Sequence, residues 1–129
     1  MQSDFEREVA DLVNKARVQE GLTILQLDER LSDIARLKSR DMIERHYFSH
    51  DSPVYGSPFD MLALFGMNYR RAGENIAMGQ RTALRVMNAW LQSPGHRDNI
   101  LDATYNVLGV GHVRDQQGNN YWTQFFAMK

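Results

Sequence analysis

The apolar residues of this chain change their spacing along its length, and this change limits the possible folds more than any other feature. Near the start, apolar side chains recur at helical spacing at Phe5, Val9, Leu12, Val13 and Ala16. Near the end, "YNVLGVGHV" and "NYWTQFFAM" are rich in β-branched and aromatic residues, and "RDQQGNN" between them carries the Gly and Asn of a hairpin turn. The sequence therefore predicts an α+β domain in which helices flank a small antiparallel sheet of about three strands.

Three long helices are predicted, each with an apolar stripe and a recognisable beginning and end. They extend from Ser3 or Asp4 to Gly21, from near Asp28 to about His46, and from Thr82 to about Gln92. In the first helix, Glu6 is expected outside the buried stripe. The third helix must stop before Pro94, because a proline ring disfavours the helical conformation of the preceding residue. Residues 49–66 are expected to be irregular apart from a short helix from Pro58, and residues 74–78 to form a short strand.

The composition narrows the function classes. A chain of 129 residues has the size of one domain, so residues 1–129 are expected to form a single domain. With a formal net charge of −1, binding to nucleic acid is not expected, and Arg70, Arg71, Arg81 and Arg85 are interpreted as solvated surface. The lack of cysteine excludes a disulfide, a thiolate zinc site and a cysteine nucleophile. The chain has no apolar run of about 18 residues, so no membrane span is expected. Its first residues lack the charged segment followed by an apolar segment that is typical of a signal peptide.

The polar residues that most need an explanation are His50, Glu74 and His96, which are expected in three separate loops. Two imidazoles and a carboxylate are a ligand set that zinc accepts, with a fourth position left for water. The same side chains could instead form a hydrogen-bonded polar network, which the residue pattern alone favours. Both alternatives stay open at this point.

Two other arrangements are weaker. His46 and His50 have the spacing of the histidines in H-E-x-x-H zinc enzymes, but no glutamate lies between them to act as a base. Ser49 and Ser93 each lie near a histidine in sequence, but the chain has no G-x-S-x-G nucleophile elbow. Ser93 is better explained as a cap or turn residue before Pro94.

Five segments resemble, in order, a known family: "HYFSHDSP", "AGENIAMG", "AWLQSPGHRDNIL", "LGVGHV" and "YWTQFF". The chain is similar to the CAP superfamily (SCP/PR-1-like, sperm-coating-protein domain), above all to its bacterial, cysteine-free branch. The resemblance implies a three-layer α/β/α sandwich and an open cavity lined by two histidines and two acidic residues. It places the cavity histidines at His50 and His96 and the first acid at Glu74, with Asn75 also at the cavity. The second acid falls on Ser93, so the four-residue set is incomplete.

The resemblance further implies an extracellular or cell-envelope location and leaves three functions. The first is a binding module for a small-molecule or cell-wall ligand or a divalent metal ion, with zinc as the expected metal on His50, Glu74 and His96. The second is a metal-dependent hydrolase of peptide or cell-wall substrates, with Asp51 or Asp98 as the nearest candidate bases. The third is a protein-interaction scaffold with a purely structural polar cluster. Because an acid and a nucleophile are missing, the sequence favours the binding module and assigns no catalytic residue; it does not predict the oligomeric state.

Overall fold

The computed structural model describes residues 2–129, which form five helices and four strands. The helices are α1 (Asp4–Gln19), α2 (Glu29–Glu44), α3 (Pro58–Leu64), α4 (Ala83–Leu91) and α5 (Pro94–Ile100). The strands are β1 (Gln26–Leu27), β2 (Arg71–Met78), β3 (Val107–Arg114) and β4 (Asn120–Met128). None of the helices in the described part of the chain has the length and apolar character needed to cross a bilayer.

The strands form one sheet in the order β1-β3-β4-β2. The predicted hairpin is β3 and β4, and β2 pairs antiparallel with the other side of β4. The three predicted antiparallel strands are present, and a fourth strand that was not predicted, β1, pairs parallel with β3. The backbone N–H of Gln26 donates to the carbonyl of Asn106, and that of Asp28 donates to the carbonyl of Leu108. A two-residue strand is too short to show an alternating pattern, so the sequence carried no signal for it.

Helices cover both faces of the sheet, which confirms the α/β/α sandwich. Side chains alternate along β4, so Trp122 and Phe126 pack towards α1 and α4 while Phe125 and Ala127 pack towards α2 and α3. Trp90 of α4 is buried, and its Nε1 donates to the carbonyl of Ile76 on β2. The sheet is therefore shielded on both faces, and its free edge at β2 is where polar side chains can gather.

Glu6 differs from its predicted position. It was expected on the exposed face of α1, but it is only 1% exposed. One carboxylate oxygen accepts from the backbone N–H of Ser3, which completes the cap of α1, and the other accepts from Arg36 and from the backbone N–H of His112. Burial is tolerated because both oxygens have donors, one of them a charged guanidinium.

Helix α2 lies directly on the backbone of β3. A Cβ atom added to Gly111 would come within 2.1 Å of the backbone nitrogen of Arg36, and one added to Gly109 would come within 2.5 Å of the carbonyl carbon of Leu31. At this short range the hydroxyl of Ser39 donates to the carbonyl of Gly111, and the hydroxyl of Ser32 accepts from the backbone N–H of Val110. Glycine is required at these two positions because any side chain would separate the helix from the sheet.

We expect Gly111→Ala to destabilise the domain by about 2 kcal/mol or more, because the obstructing atoms are backbone and cannot rotate away. Gly95→Ala is the matched control. Gly95 lies in α5, and an added Cβ would meet no neighbouring group within 4 Å, so alanine there should leave stability unchanged or raise it by roughly 0.5–1 kcal/mol. Urea unfolding of the two variants measures the difference. Equal midpoints for both would show that α2 does not depend on the close approach.

Candidate functional site

The centre of the candidate site is a hydrogen bond between Glu74 and His50. Oε1 of Glu74 lies 2.7 Å from Nδ1 of His50; the carboxylate side chain is 1% exposed and the imidazole 51% exposed. An ionised carboxylate only accepts hydrogen bonds, so Nδ1 carries the proton and Nε2 is the ring nitrogen left for another partner. A buried acid thus orients a ring that reaches solvent.

His50 lies in an irregular segment, as expected, and Glu74 lies in β2, which contains the short strand predicted over residues 74–78. The expectation of a loop is wrong for His96, which lies in α5, and for Glu74 where it was counted among three loop residues. Pro94 does end α4, but it also begins α5, because a proline at the first helical position has no intrahelical N–H to lose. The break therefore redirects one helix into another rather than into a loop.

The register of β2 distributes its polar side chains over the two faces of the sheet. Glu74 is opposite Phe125 and shares its face with α2, while the next residue, Asn75, is opposite Gln124 and faces α4 and α5. Asn75 is fully buried, and its amide donates to Oε1 of Gln124 and to the carbonyl of His96, both at 3.1 Å. Asn99 of α5 donates to Oδ1 of Asn75 at 2.9 Å. These bonds hold the backbone of His96 against the edge of the sheet.

Lys38 is a residue of the candidate site that the sequence did not lead us to predict. It is 1% exposed, and its Nζ donates to the carbonyl of His50 at 3.0 Å and to the hydroxyl of Tyr47 at 3.2 Å. The sequence did contain a signal for its burial, because Lys38 falls on the same helical stripe as the apolar residues Ile34 and Ala35. A buried cation needs acceptors, and here the His50 segment supplies one of them.

Asp41 ties the same segment to α2. Its carboxylate accepts from the hydroxyls of Ser52 and Tyr47 and from Nε of Arg45. These donors hold the pKa of Asp41 below its usual range against the effect of burial, while burial and the nearby Asp41 charge raise the pKa of Tyr47. Lys38 and Asp41 together fix both ends of the irregular segment that carries His50.

The electrostatics of the site follow from burial and from the His50–Glu74 bond. Burial raises the pKa of Glu74, although the hydrogen bond from His50 and the charge of Lys38 oppose this. The bond to Glu74 raises the pKa of His50. Burial lowers the pKa of His96, and the charge of His50 lowers it further, so the two rings are electrostatic neighbours. The second oxygen of Glu74, Oε2, is buried and has no donor in residues 2–129.

The remaining candidate residues contribute less. Ser93 is the N-cap residue of α5, as its position before Pro94 suggested, but its side chain forms no capping hydrogen bond in the described part of the chain. Asp51 is exposed, and its charge acts on both His50 and Glu74. Asp98 is exposed on α5, and His46 is exposed beyond the end of α2. Of the acids considered as bases, only Asp51 is electrostatically coupled to the His50–Glu74 pair.

The metal expectation is only partly supported by the geometry. Within residues 2–129, no three His, Cys, Asp or Glu side chains are grouped so that they could hold a metal ion. Glu74 uses one oxygen on His50, and that contact is the arrangement in which a carboxylate orients a metal-binding histidine from behind. The predicted ligand set of His50, Glu74 and His96 is therefore not grouped as a metal site in the described residues.

The three-layer fold with a histidine and a glutamate at the edge of its sheet defines an SCP-type domain. The family model described as CAP, the Cysteine-rich secretory protein family, matches residues 10–126, and the chain belongs to this family. The resemblance inferred from the five sequence segments is confirmed.

The relatives are bacterial proteins of greater length. "Uncharacterized protein YkwD" of Bacillus subtilis is 50% identical over 127 residues, which cover 98% of this chain and 48% of YkwD. A crystal structure of an extracellular protein containing an SCP domain, from Bacillus anthracis strain Ames, is 37% identical with a TM-score of 0.89, covering 96% of this chain and 40% of that one. This chain thus spans less than half the length of either relative.

More distant structures share the fold alone. An outer surface protein from Borrelia burgdorferi has a TM-score of 0.87 at 19% identity, covering 100% of this chain and 98% of that one. A crystal structure of NaASP2 with Zn2+ has a TM-score of 0.69 at 13% identity, covering 98% of this chain and 80% of that one. Proteins of this fold therefore include extracellular and surface proteins and one that has been crystallised with zinc.

We expect the pKa of His50 to lie above 6.5 and that of His96 below it. The bond between protonated His50 and Glu74 then adds to the free energy of unfolding. This contribution is fully present below pH 6.5 and is lost as the pH rises through the raised pKa of His50 in the folded protein. NMR titration of the imidazole resonances measures both values. Glu74→Gln should lower the pKa of His50 and leave that of His112 unchanged, because His112 bonds to Asn120 instead. A His50 titration that Glu74→Gln does not alter would show that the two side chains are apart in solution.

Proposed function

We propose that this chain is a single CAP domain of an extracellular or cell-surface protein and that it binds a divalent metal ion, zinc, between His50 and His96. The observation that carries the proposal is the hydrogen bond from Nδ1 of His50 to the buried carboxylate of Glu74. Histidine ligands of metals commonly donate their other ring N–H to a carboxylate, which selects the tautomer and orients the ring. In this arrangement Glu74 belongs to the site through His50 rather than as a direct ligand.

The second ligand of the proposed site is His96. Its backbone is held to the sheet edge through Asn75, and its ring lies near enough to His50 for the charge of one to act on the other. Two imidazoles from separate elements are the ligand type that zinc prefers among nitrogen donors. With two protein ligands, positions on the ion would remain for water or for a polar ligand.

The charge of Glu74 also favours a cation. The side chain is buried, one of its oxygens has no donor in the described residues, and burying such an atom without compensation is unfavourable. Lys38 offsets part of this charge from below, but its Nζ bonds to His50 and Tyr47 rather than to Glu74. A metal ion held by His50 would add positive charge on the exposed side of the pair. When bound, zinc would act as a Lewis acid towards a small-molecule or cell-wall ligand.

We expect isothermal titration calorimetry with zinc to show one binding site in the native protein. His50→Gln and His96→Gln should each abolish it, because each removes one of two protein ligands. Glu74→Gln should weaken it by roughly 10- to 100-fold, as expected for the partner of a metal-binding histidine. His46→Gln is the matched control, since His46 is exposed on the neighbouring segment and should bind as the native protein does.

Two results would contradict the proposal. The first is the absence of binding heat in the native protein near pH 8, where protons compete only weakly for the imidazoles. This result would show that the protein does not bind zinc. Binding that survives His50→Gln and His96→Gln but not His46→Gln would place the metal elsewhere.

A further inference from the structure

A second concave surface lies where β2 joins α4. This groove has a volume of about 500 Å3, and its lining includes Met78, Gln80, Arg81, Arg85, Asn88 and Ala89. It begins four residues beyond Glu74 along the chain and shares no residue with the His50, Glu74 and His96 site. An inference about the groove is therefore independent of the proposed metal site.

Hydrogen bonds to the backbone fix the walls of the groove. The N–H of Gly79 donates to the carbonyl of Asn120 at 2.8 Å, and Nε1 of the buried Trp122 donates to the carbonyl of Gln80 at 3.0 Å. On the other side, Thr82 caps α4 by accepting from the backbone N–H of Arg85. Both walls are thus parts of the folded core, so a ligand would meet a preformed surface.

The charge of the groove is positive and uncompensated. Arg81 and Arg85 are exposed, and neither forms an ion pair or a side-chain hydrogen bond with any other residue in the described part of the chain. The lining contains no aspartate or glutamate. The sequence alone suggested solvated surface for these arginines, but the fold places them on one concave wall. Guanidinium groups in such a position favour a carboxylate or phosphate, which they can bind through paired hydrogen bonds.

The other lining residues narrow the ligand. Gln80 also lines the groove, but its Oε1 atom is buried and is not open to a ligand on the groove surface. Met78 is 47% exposed and, with Ala89, forms a small apolar wall. A ligand that suits the two arginines and this apolar wall has a carboxylate next to a small apolar side chain. These groups occur together at the C-terminal end of a peptide.

We propose that the groove between β2 and α4 binds the C-terminal carboxylate end of a short peptide with a small side chain. Arg81 and Arg85 bind the carboxylate, and Met78 and Ala89 contact the side chain.

The test uses N-acetyl-alanyl-alanine and its C-terminal amide as probes in an NMR titration of the full chain. The acid should shift the backbone resonances of residues 78–92. The amide should bind at least roughly tenfold more weakly than the acid, because it lacks the negative charge. Arg81→Gln combined with Arg85→Gln should weaken binding of the acid by about tenfold or more. Arg70→Gln is the matched control, since Arg70 is also exposed and unpaired in the described residues but lies outside the groove lining.

Three outcomes would overturn the proposal. The first is no shift with the acid at millimolar concentration. The second is equal binding by the double arginine variant, with unfolding midpoints in urea confirming that it and the control are folded. The third is equal or tighter binding of inorganic phosphate at the same resonances, which would make the groove a general anion site with no preference for a peptide end.

Discussion

The close contact between α2 and β3 is the constraint on which the rest of the structure depends. Because Gly109 and Gly111 have no side chains, the helix lies on the strand backbone and its small polar residues bond to the sheet. This position also buries Lys38 beneath the segment that carries His50. A buried ammonium must find acceptors, and one of them is the carbonyl of His50. The helix that packs the core therefore also fixes the position of the backbone of His50.

The edge strand β2 positions the polar side chains of the candidate site on the two faces of the sheet. Neighbouring residues of a strand point to opposite faces, so Glu74 meets His50 on the α2 face while Asn75 holds α5 on the other. A shift of one residue in the register would exchange these roles and leave a carboxylate in a core that has an amide network. The same strand ends at the groove with Arg81 and Arg85, so the proposed metal site and the proposed peptide groove both adjoin β2.

Membership of the CAP family explains the common frame, but the function of a member has to be argued from its own side chains. In this chain Ser93 stands where the resemblance placed a second acid, and it forms no capping bond within residues 2–129. The carboxylates that act on His50 in the described residues are Glu74, which is bonded to it, and the exposed Asp51, while the charge of Lys38 opposes them.

The sequence by itself determined the three long helices, the β3–β4 hairpin and the family. Helical spacing, the Pro94 break and the alternation in the last strands are local patterns, and they predicted every long helix and the hairpin. Only the tertiary structure decided that Glu6 is buried, which acceptors Lys38 finds, that β1 joins the sheet, and that Glu74 bonds to His50. These facts depend on contacts between residues far apart in the chain, and the spacing of charged residues does not show which of them find partners on folding.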